Sequence, residues 1–153
     1  MSDVGTLDRL RSWFDKCGVP LDARTPRESD LAALEDRTGL TLPNDFRRYL
    51  LEMSPSADNY DDEETNWWPI ARLRTIPEEF DDEVHNAEIV ASAGSYLFFA
   101  DFSIWAWAWA ISCTKDHNHG RIVRIGGSPT SDIFVAESFD AFVKIYLRDP
   151  LLL

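Results

Sequence analysis

The stretch Tyr-Leu-Phe-Phe-Ala-Asp-Phe-Ser-Ile-Trp-Ala-Trp-Ala-Trp-Ala-Ile, residues 96–111, decides the fold because it is the most apolar part of the chain. Large and small side chains alternate in its second half, as they do on the two faces of a strand. The large residues that would share one face are Trp105, Trp107, Trp109 and Ile111. An aspartate and a serine interrupt the run. We therefore predict two strands, 96–100 and 104–113, joined by a turn near residues 101–103.

Amphipathic patterns flank this predicted hairpin on both sides. Three segments with helical spacing precede it, beginning near Thr6, at the capping box that starts with Thr25, and at Pro43. Further strands are predicted at 121–125 and 133–136, and Ser138 would cap a last helix. This order predicts an α+β fold in which N-terminal helices and one C-terminal helix cover a largely antiparallel sheet. The length suits a single domain over residues 1–153.

Composition excludes several classes of protein. The net charge of −12 argues against non-specific nucleic-acid binding. The apolar run is too short and too interrupted to span a bilayer, so we expect no membrane association. The first residues resemble no secretion signal, and Cys17 and Cys113 are the only cysteines. Two sparse cysteines without an export signal predict reduced thiols and a cytoplasmic location.

The negative charge is concentrated between residues 58 and 88. This segment holds eleven acidic side chains against two arginines, which accounts for nine of the twelve net negative charges. Such a segment either keeps a solvated surface soluble or binds a basic partner protein. On composition alone, the two interpretations are equally supported.

Two groups of residues could carry chemistry. His117 and His119, with Asp116 and Cys113, could ligate zinc, but their spacing matches no zinc motif and these residue types are typical of a solvated turn. Asp101 and Asp116 could act as paired carboxylates, but no nucleophile or phosphate-binding motif accompanies them. We therefore predict no catalytic residue, no metal and no cofactor, and we assign Asp101 to the turn.

The three tryptophans also allow alternatives. They could form a stacking platform for bases or sugars, although the negative charge disfavours nucleic acid. We favour a role in the core, with Trp109 and Phe142 buried between the sheet and the last helix. If their face is open instead, it would be a protein-binding patch.

Several stretches, taken in order from Thr25 onward, together resemble the SMI1/KNR4 (SUKH) superfamily. Residues 35–46 resemble the family pattern E-x-x-x-G-x-x-L-P-x-D-[FY]. The other matching stretches are Trp67-Trp68-Pro69-Ile70 and residues 97–102, 109–111, 122–127 and 135–142. The Ala-Trp alternation and the acidic run at residues 58–64 depart from the family pattern.

The resemblance implies a SUKH-like fold and a non-enzymatic function. Bacterial members are similar to immunity proteins that neutralise a toxin, commonly a nuclease or nucleic-acid deaminase, and fungal relatives act as signalling scaffolds. It favours the interpretation of the acidic segment as a binding surface for a cognate toxin with a basic surface. A regulatory scaffold is the alternative. The predicted partner-binding residues are Asp58, Asp61, Asp62, Glu63, Glu64, Glu78, Glu79 and Asp82.

Overall fold

The computed structural model describes residues 5–22, 28–79, 84, 86–126 and 133–153. Within these ranges the helices are α1 (Gly5–Cys17), α2 (Glu28–Thr38), α3 (Asn44–Met53), α4 (Ile76–Glu79), α5 (Ala87–Val90) and α6 (Phe139–Arg148). The strands are β1 (Thr65–Trp67), β2 (Arg74–Thr75), β3 (Tyr96–Phe102), β4 (Trp107–Ser112), β5 (Ile122–Gly126) and β6 (Ile133–Ala136). Short 3₁₀ turns lie at Ile70–Arg72, Ala93–Ser95 and Pro150–Leu152. The predicted α+β class is confirmed.

The six strands form one antiparallel sheet in the order β1–β3–β4–β5–β6, and β2 pairs with β3 on the same edge as β1. The predicted hairpin of β3 and β4 is therefore present. Its turn, however, lies at residues 103–106 and not at 101–103. The strand continues further because Asp101 pairs with Ala108, and Phe102 pairs with Trp107 with ring centroids 4.5 Å apart.

Helix α6 packs on the sheet face that carries the large side chains. Trp109 and Phe142 are both fully buried, and their ring centroids are 5.2 Å apart, so their predicted burial is confirmed. Trp105 does not share this face, contrary to the alternating pattern. It lies in the turn with φ +64° and packs against Trp68 and Phe98 on the opposite face, because the left-handed backbone breaks the alternation. Trp105 and Trp107 are only half-buried.

Aromatic rings from α3, β1, β3 and α6 fill the space between helices and sheet. The ring of Phe99 meets Phe142 at 5.3 Å and an interplanar angle of 86°, the edge-to-face arrangement that aromatic pairs prefer. Trp67 contacts Phe14 of α1 and Tyr146 of α6, each at 5.1 Å. The helices and the sheet thus share one hydrophobic core on this side.

The residues of the pattern at positions 35–46 fix the connection between α2 and α3. Gly39 ends α2 in the left-handed region at φ +72°, where glycine carries no steric cost. Glu35 then accepts hydrogen bonds from the Leu42 backbone N–H at 3.0 Å and from Arg47 at 2.8 Å. Burial raises the pKa of Glu35, but these two donors outweigh it and hold the pKa below its usual value.

Several predicted helix boundaries need correction or lie outside the described residues. Helix α1 begins at Gly5, so Thr6 lies within the helix and does not cap it. Ser138 caps α6 as predicted, since its hydroxyl accepts from the Ala141 N–H. The start of the capping box at residues 25–27 lies outside the described residues.

Candidate functional site

The acidic loop, residues 58–64, connects α3 to β1 and closes on itself. The Asp61 N–H donates to the Thr65 carbonyl at 2.9 Å, and the Glu64 N–H donates to the Asp61 carbonyl at 3.1 Å. Glu64 adopts φ +68°, and Tyr60 forms an isolated bridge with Asn66. The loop is irregular, but its backbone is held in a defined turn.

Asp61 is the buried member of this loop. Its side chain is only 6% exposed, and its Oδ2 accepts hydrogen bonds from the indole N–H groups of Trp13 and Trp67, both at 2.9 Å. The hydroxyl of Tyr146 donates to the same oxygen. Burial and the negative charge of Asp61 raise the pKa of Tyr146, so this hydroxyl keeps its proton as a donor.

The second oxygen of Asp61 is also occupied. Its Oδ1 accepts from the backbone N–H groups of Glu63 at 2.9 Å and Thr65 at 3.0 Å. Five donors therefore surround one carboxylate and tie the loop to α1, β1 and α6. Asp61 is therefore not part of a solvated surface, because its partners come from distant parts of the chain.

The remaining acids of the loop face solvent. Asp62, Glu63 and Glu64 are exposed and consecutive. Asp58 is exposed too, and it pairs with Arg72 at 2.5 Å. The loop thus presents three consecutive exposed carboxylates, and its first residue, Asp58, forms an ion pair.

The other predicted site residues lie elsewhere. Glu78 and Glu79 belong to α4, which follows β2, and Asp82 lies outside the described residues. Strand β2 pairs with Leu97 and Phe98 of β3, whereas β1 pairs with residues 100–102, so the two short strands occupy successive parts of the same edge. Glu78 also pairs with Arg37 and accepts from the Thr75 N–H at 2.7 Å. Burial raises the pKa of Glu78, but these partners outweigh it and lower the pKa.

Asp101 forms a second buried carboxylate site, so its predicted place in a turn is wrong. It lies in β3, is 1% exposed, and its Oδ2 accepts from Trp68 Nε1 at 2.7 Å and Asn66 Nδ2 at 3.3 Å. Its Oδ1 is buried and has no hydrogen-bond partner among the described residues. Buried polar atoms without partners are rare in proteins, so this oxygen calls for a specific explanation.

Among the described residues, Arg72 is the cation closest to the carboxylate of Asp101. Its Nη1 lies 3.9 Å from Asp101 Oδ2, and its guanidinium sits 4.0 Å from the ring centroid of Trp68. The same Nη1 pairs with Asp58, so one guanidinium serves two carboxylates. Burial and the charge of Asp101 raise the pKa of the neighbouring Tyr60. The group formed by Asp58, Asp101 and Arg72 therefore keeps an uncompensated negative charge, because two carboxylates share one guanidinium.

The left-handed turn, residues 103–106, lies against the acidic loop. Ser103, Ile104 and Trp105 have φ values of +49°, +54° and +64°. Such a conformation costs about 1–2 kcal/mol for each residue that is not glycine. The Ser103 N–H donates to the Glu64 carbonyl at 2.9 Å, and Trp105 packs on Trp68, so the surroundings hold the strained backbone. Ile104 is 82% exposed at the tip.

The histidines of the β4–β5 connection make ordinary turn contacts. His119 Nδ1 lies 2.7 Å from the Thr114 carbonyl, and His117 lies 3.6 Å from Glu88. Across the described part of the chain, no group of three or more histidine, cysteine, aspartate or glutamate side chains is placed to hold a metal ion.

The two carboxylates considered for acid–base chemistry are far apart. Asp116 lies beyond the end of β4 that is remote from the turn, whereas Asp101 lies beside the turn. Asp116 accepts from the Thr114 hydroxyl at 2.6 Å and the Asn118 N–H at 2.9 Å, and these bonds lower its pKa. The structure therefore does not bring this pair together.

Both cysteines are unpaired thiols, and burial raises the pKa of Cys113 to about 12. A thiol with such a pKa stays protonated and unreactive near neutral pH.

Among the described residues, no helix has both the length and the apolar character needed to cross a bilayer.

Comparison with known proteins gives one family. The model of the SMI1 / KNR4 family (SUKH-1) matches residues 25–145. No curated protein matches the sequence. The matched span contains the acidic loop, Asp101, the left-handed turn and all eight predicted partner-binding residues. Members of this family are generally non-catalytic, and the family suggests a protein partner.

Proposed function

The chain belongs to the SMI1/KNR4 family (SUKH-1), and from that membership we propose that it is a non-catalytic immunity protein that binds and neutralises a cognate toxin. The observation that carries this proposal is the row of exposed carboxylates at Asp62, Glu63 and Glu64. Asp58 of the same loop adds to this charge, since it and Asp101 share the guanidinium of Arg72. This arrangement favours a partner with positive charge.

The resemblance to bacterial immunity proteins suggests a nuclease or nucleic-acid deaminase as the toxin, and the charge of this surface supports that class. A nuclease or nucleic-acid deaminase must be basic where it holds phosphates, so carboxylates placed there compete with the nucleic acid. We propose that the protein blocks the toxin's active site or substrate channel stoichiometrically, without making or breaking a bond. Exposed charges would speed the encounter, and desolvated pairs would slow dissociation. The cytoplasm is the proposed site of action.

A regulatory interaction module is the second candidate, because the same family membership fits it. It would also bind protein partners without chemistry. The neighbouring gene separates the two candidates, since a large secreted protein ending in a nuclease-like domain favours immunity.

The test is a titration against the toxin domain encoded by the adjacent gene. Wild-type protein should bind tightly at 0.1 M salt and more weakly at 1 M, where the Debye length falls from about 10 Å to about 3 Å. Replacing Asp62, Glu63 and Glu64 with Lys should weaken binding about tenfold or more at 0.1 M salt.

The matched control replaces Asp8, Asp36 and Glu137 with Lys. These acids are also exposed but lie on other elements, so the control changes the net charge equally. It should weaken binding less than the loop variant. Equal loss in both variants would mean that net charge alone, and not this surface, governs binding, and no binding of wild-type protein would refute the immunity function.

A further inference from the structure

The acidic loop and the left-handed turn form a continuous surface. The Ser103 N–H bonds to the Glu64 carbonyl, and Thr65 pairs with Phe102, so the turn stands directly beside the row of carboxylates. Ile104 at 82% and Tyr60 at 45% are exposed large apolar side chains within this area. A surface that combines apolar side chains with a charged border resembles the centre and rim of a protein interface.

The backbone of the turn presents Ile104 at a steric cost. A β-branched residue with positive φ is an outlier, and three consecutive residues here share that region. Packing of Trp105 on Trp68 and Phe98 holds the turn in place. A rigid tip loses little conformational entropy on binding, which favours its use as an anchor.

An independent observation points to a cationic ligand at the same surface. Asp101 lies beside the turn, is 1% exposed, and keeps Oδ1 buried without a partner among the described residues. Arg72, the one cation within 4 Å of Asp101 among the described residues, is also the partner of Asp58. Two carboxylates and one guanidinium leave this group short of positive charge, which a basic partner would supply.

We propose that this surface is the centre of the partner interface, where Ile104 enters an apolar pocket of a basic protein whose lysines and arginines pair with the surrounding carboxylates. The proposal rests on the immunity function proposed above and specifies where the toxin binds. The partner must therefore carry an apolar pocket with a basic border.

The decisive variant is Ile104→Asn. Asparagine adopts positive φ more readily than isoleucine, so the substitution removes the apolar anchor without straining the turn. The matched control is Val90→Asn, because Val90 is 51% exposed on α5. Glu88 of that helix bonds to Asn118 at the opposite end of the sheet, so the control removes an exposed apolar side chain far from the turn.

The experiment measures binding of wild-type protein and both variants to the toxin domain of the adjacent gene. Ile104→Asn should weaken binding by about tenfold, mainly through faster dissociation, and Val90→Asn should leave it within about twofold. Because Ile104 is uncharged, the loss of affinity in Ile104→Asn should persist at 1 M salt. Ile104→Gly, which also fits the turn, should reproduce the loss.

The outcomes separate the two proposals. If wild-type protein does not bind, the immunity function fails, and the proposed interface fails with it. If wild-type protein binds and both Ile104 variants retain its affinity while folded, the interface proposal alone is refuted. If Val90→Asn weakens binding as much as Ile104→Asn, the interface is not centred on the turn and the proposal is overturned.

Discussion

Two buried aspartates lie on opposite sides of one sheet and use their oxygens differently. Asp61 faces the helices and accepts hydrogen bonds from five donors. Asp101 faces the other side and accepts from Trp68 and Asn66 through one oxygen, while its second oxygen has no partner among the described residues. The two carboxylates are nearly equally buried, so burial does not distinguish them, whereas the number of donors does.

The surroundings of the two aspartates also differ, because Asp61 lies in the packed core and Asp101 lies near exposed polar groups. Asp61 ties α1, β1 and α6 together beside closely packed aromatic rings. Asp101 lies near the exposed Tyr60 and the ion pair of Arg72 with Asp58. A fully satisfied buried carboxylate stabilises the fold, whereas one with an unpaired oxygen contributes less to it. We therefore assign folding to the Asp61 side, and the recognition proposed above concerns the Asp101 side.

The largest expected effect compares two tryptophans on the two sides. Trp109→Ala should lower the free energy of unfolding by about 3–5 kcal/mol, because its side chain is fully buried against α6. Trp105→Ala should cost less than half as much, since its side chain is only half-buried. Urea unfolding of both variants measures this difference, and equal losses would contradict the contrast in packing.

Exchanging each buried aspartate for asparagine gives the next largest effect. At Asp61 donors face both oxygens, so the new amide NH₂ must meet a donor, and the variant should lose about 2–3 kcal/mol. At Asp101 the NH₂ can take the place of Oδ1, which faces no donor, so the loss should stay within about 1 kcal/mol.

Chemical denaturation of the two asparagine variants measures these losses, with Asp62→Asn as an exposed control. The control should change stability by no more than about 0.5 kcal/mol. A loss at Asp101 as large as that at Asp61 would show that both carboxylates serve the fold.

A half-buried carboxylate, Glu35, should give the smallest effect. Its bonds to Leu42 and Arg47 hold its pKa in the folded protein below the usual value. These bonds therefore stabilise the fold fully at pH values above the unfolded pKa of about 4.3. The stabilisation is lost as the pH falls through the lower pKa of the folded protein. Glu35→Gln should cost about 1 kcal/mol at pH 7. The difference from wild-type protein should shrink at pH 3, as measured by urea unfolding. If the stability difference between Glu35→Gln and wild-type protein did not depend on pH, the stabilising role of the Glu35 carboxylate would be contradicted. The control is Asp36→Asn, which changes an exposed carboxylate.

Periodicity predicted the parts of the fold that depend on local pattern. The helices, the β3–β4 hairpin and the burial of Trp109 against Phe142 follow from apolar spacing within each segment. Ser138 marked a helix start because the preference of serine for a helix N-cap is local. The family pattern in residues 35–46 was likewise readable, since its contacts span few residues.

The two carboxylate sites were not predictable in the same way. Within Asp-Asp-Glu-Glu at residues 61–64, nothing local distinguishes Asp61 from Asp62, because its donors Trp13 and Tyr146 lie 48 and 85 residues away in sequence. The left-handed turn was missed because Trp105 fits the large face of the alternating Trp-Ala pattern, although its backbone lies in the turn. The row of exposed acids was identified from charge, and its role as a partner-binding surface stays a prediction.

The most direct test of the division between folding and recognition is the affinity of Asp101→Asn for the toxin domain of the adjacent gene, measured at 0.1 M and 1 M salt. Asp101→Asn should have nearly wild-type stability and bind at least about threefold more weakly at 0.1 M salt, because a negative charge at the proposed interface is lost. The difference from wild-type protein should narrow at 1 M salt. Unchanged affinity at both salt concentrations would contradict the account and make Asp101 a structural carboxylate like Asp61.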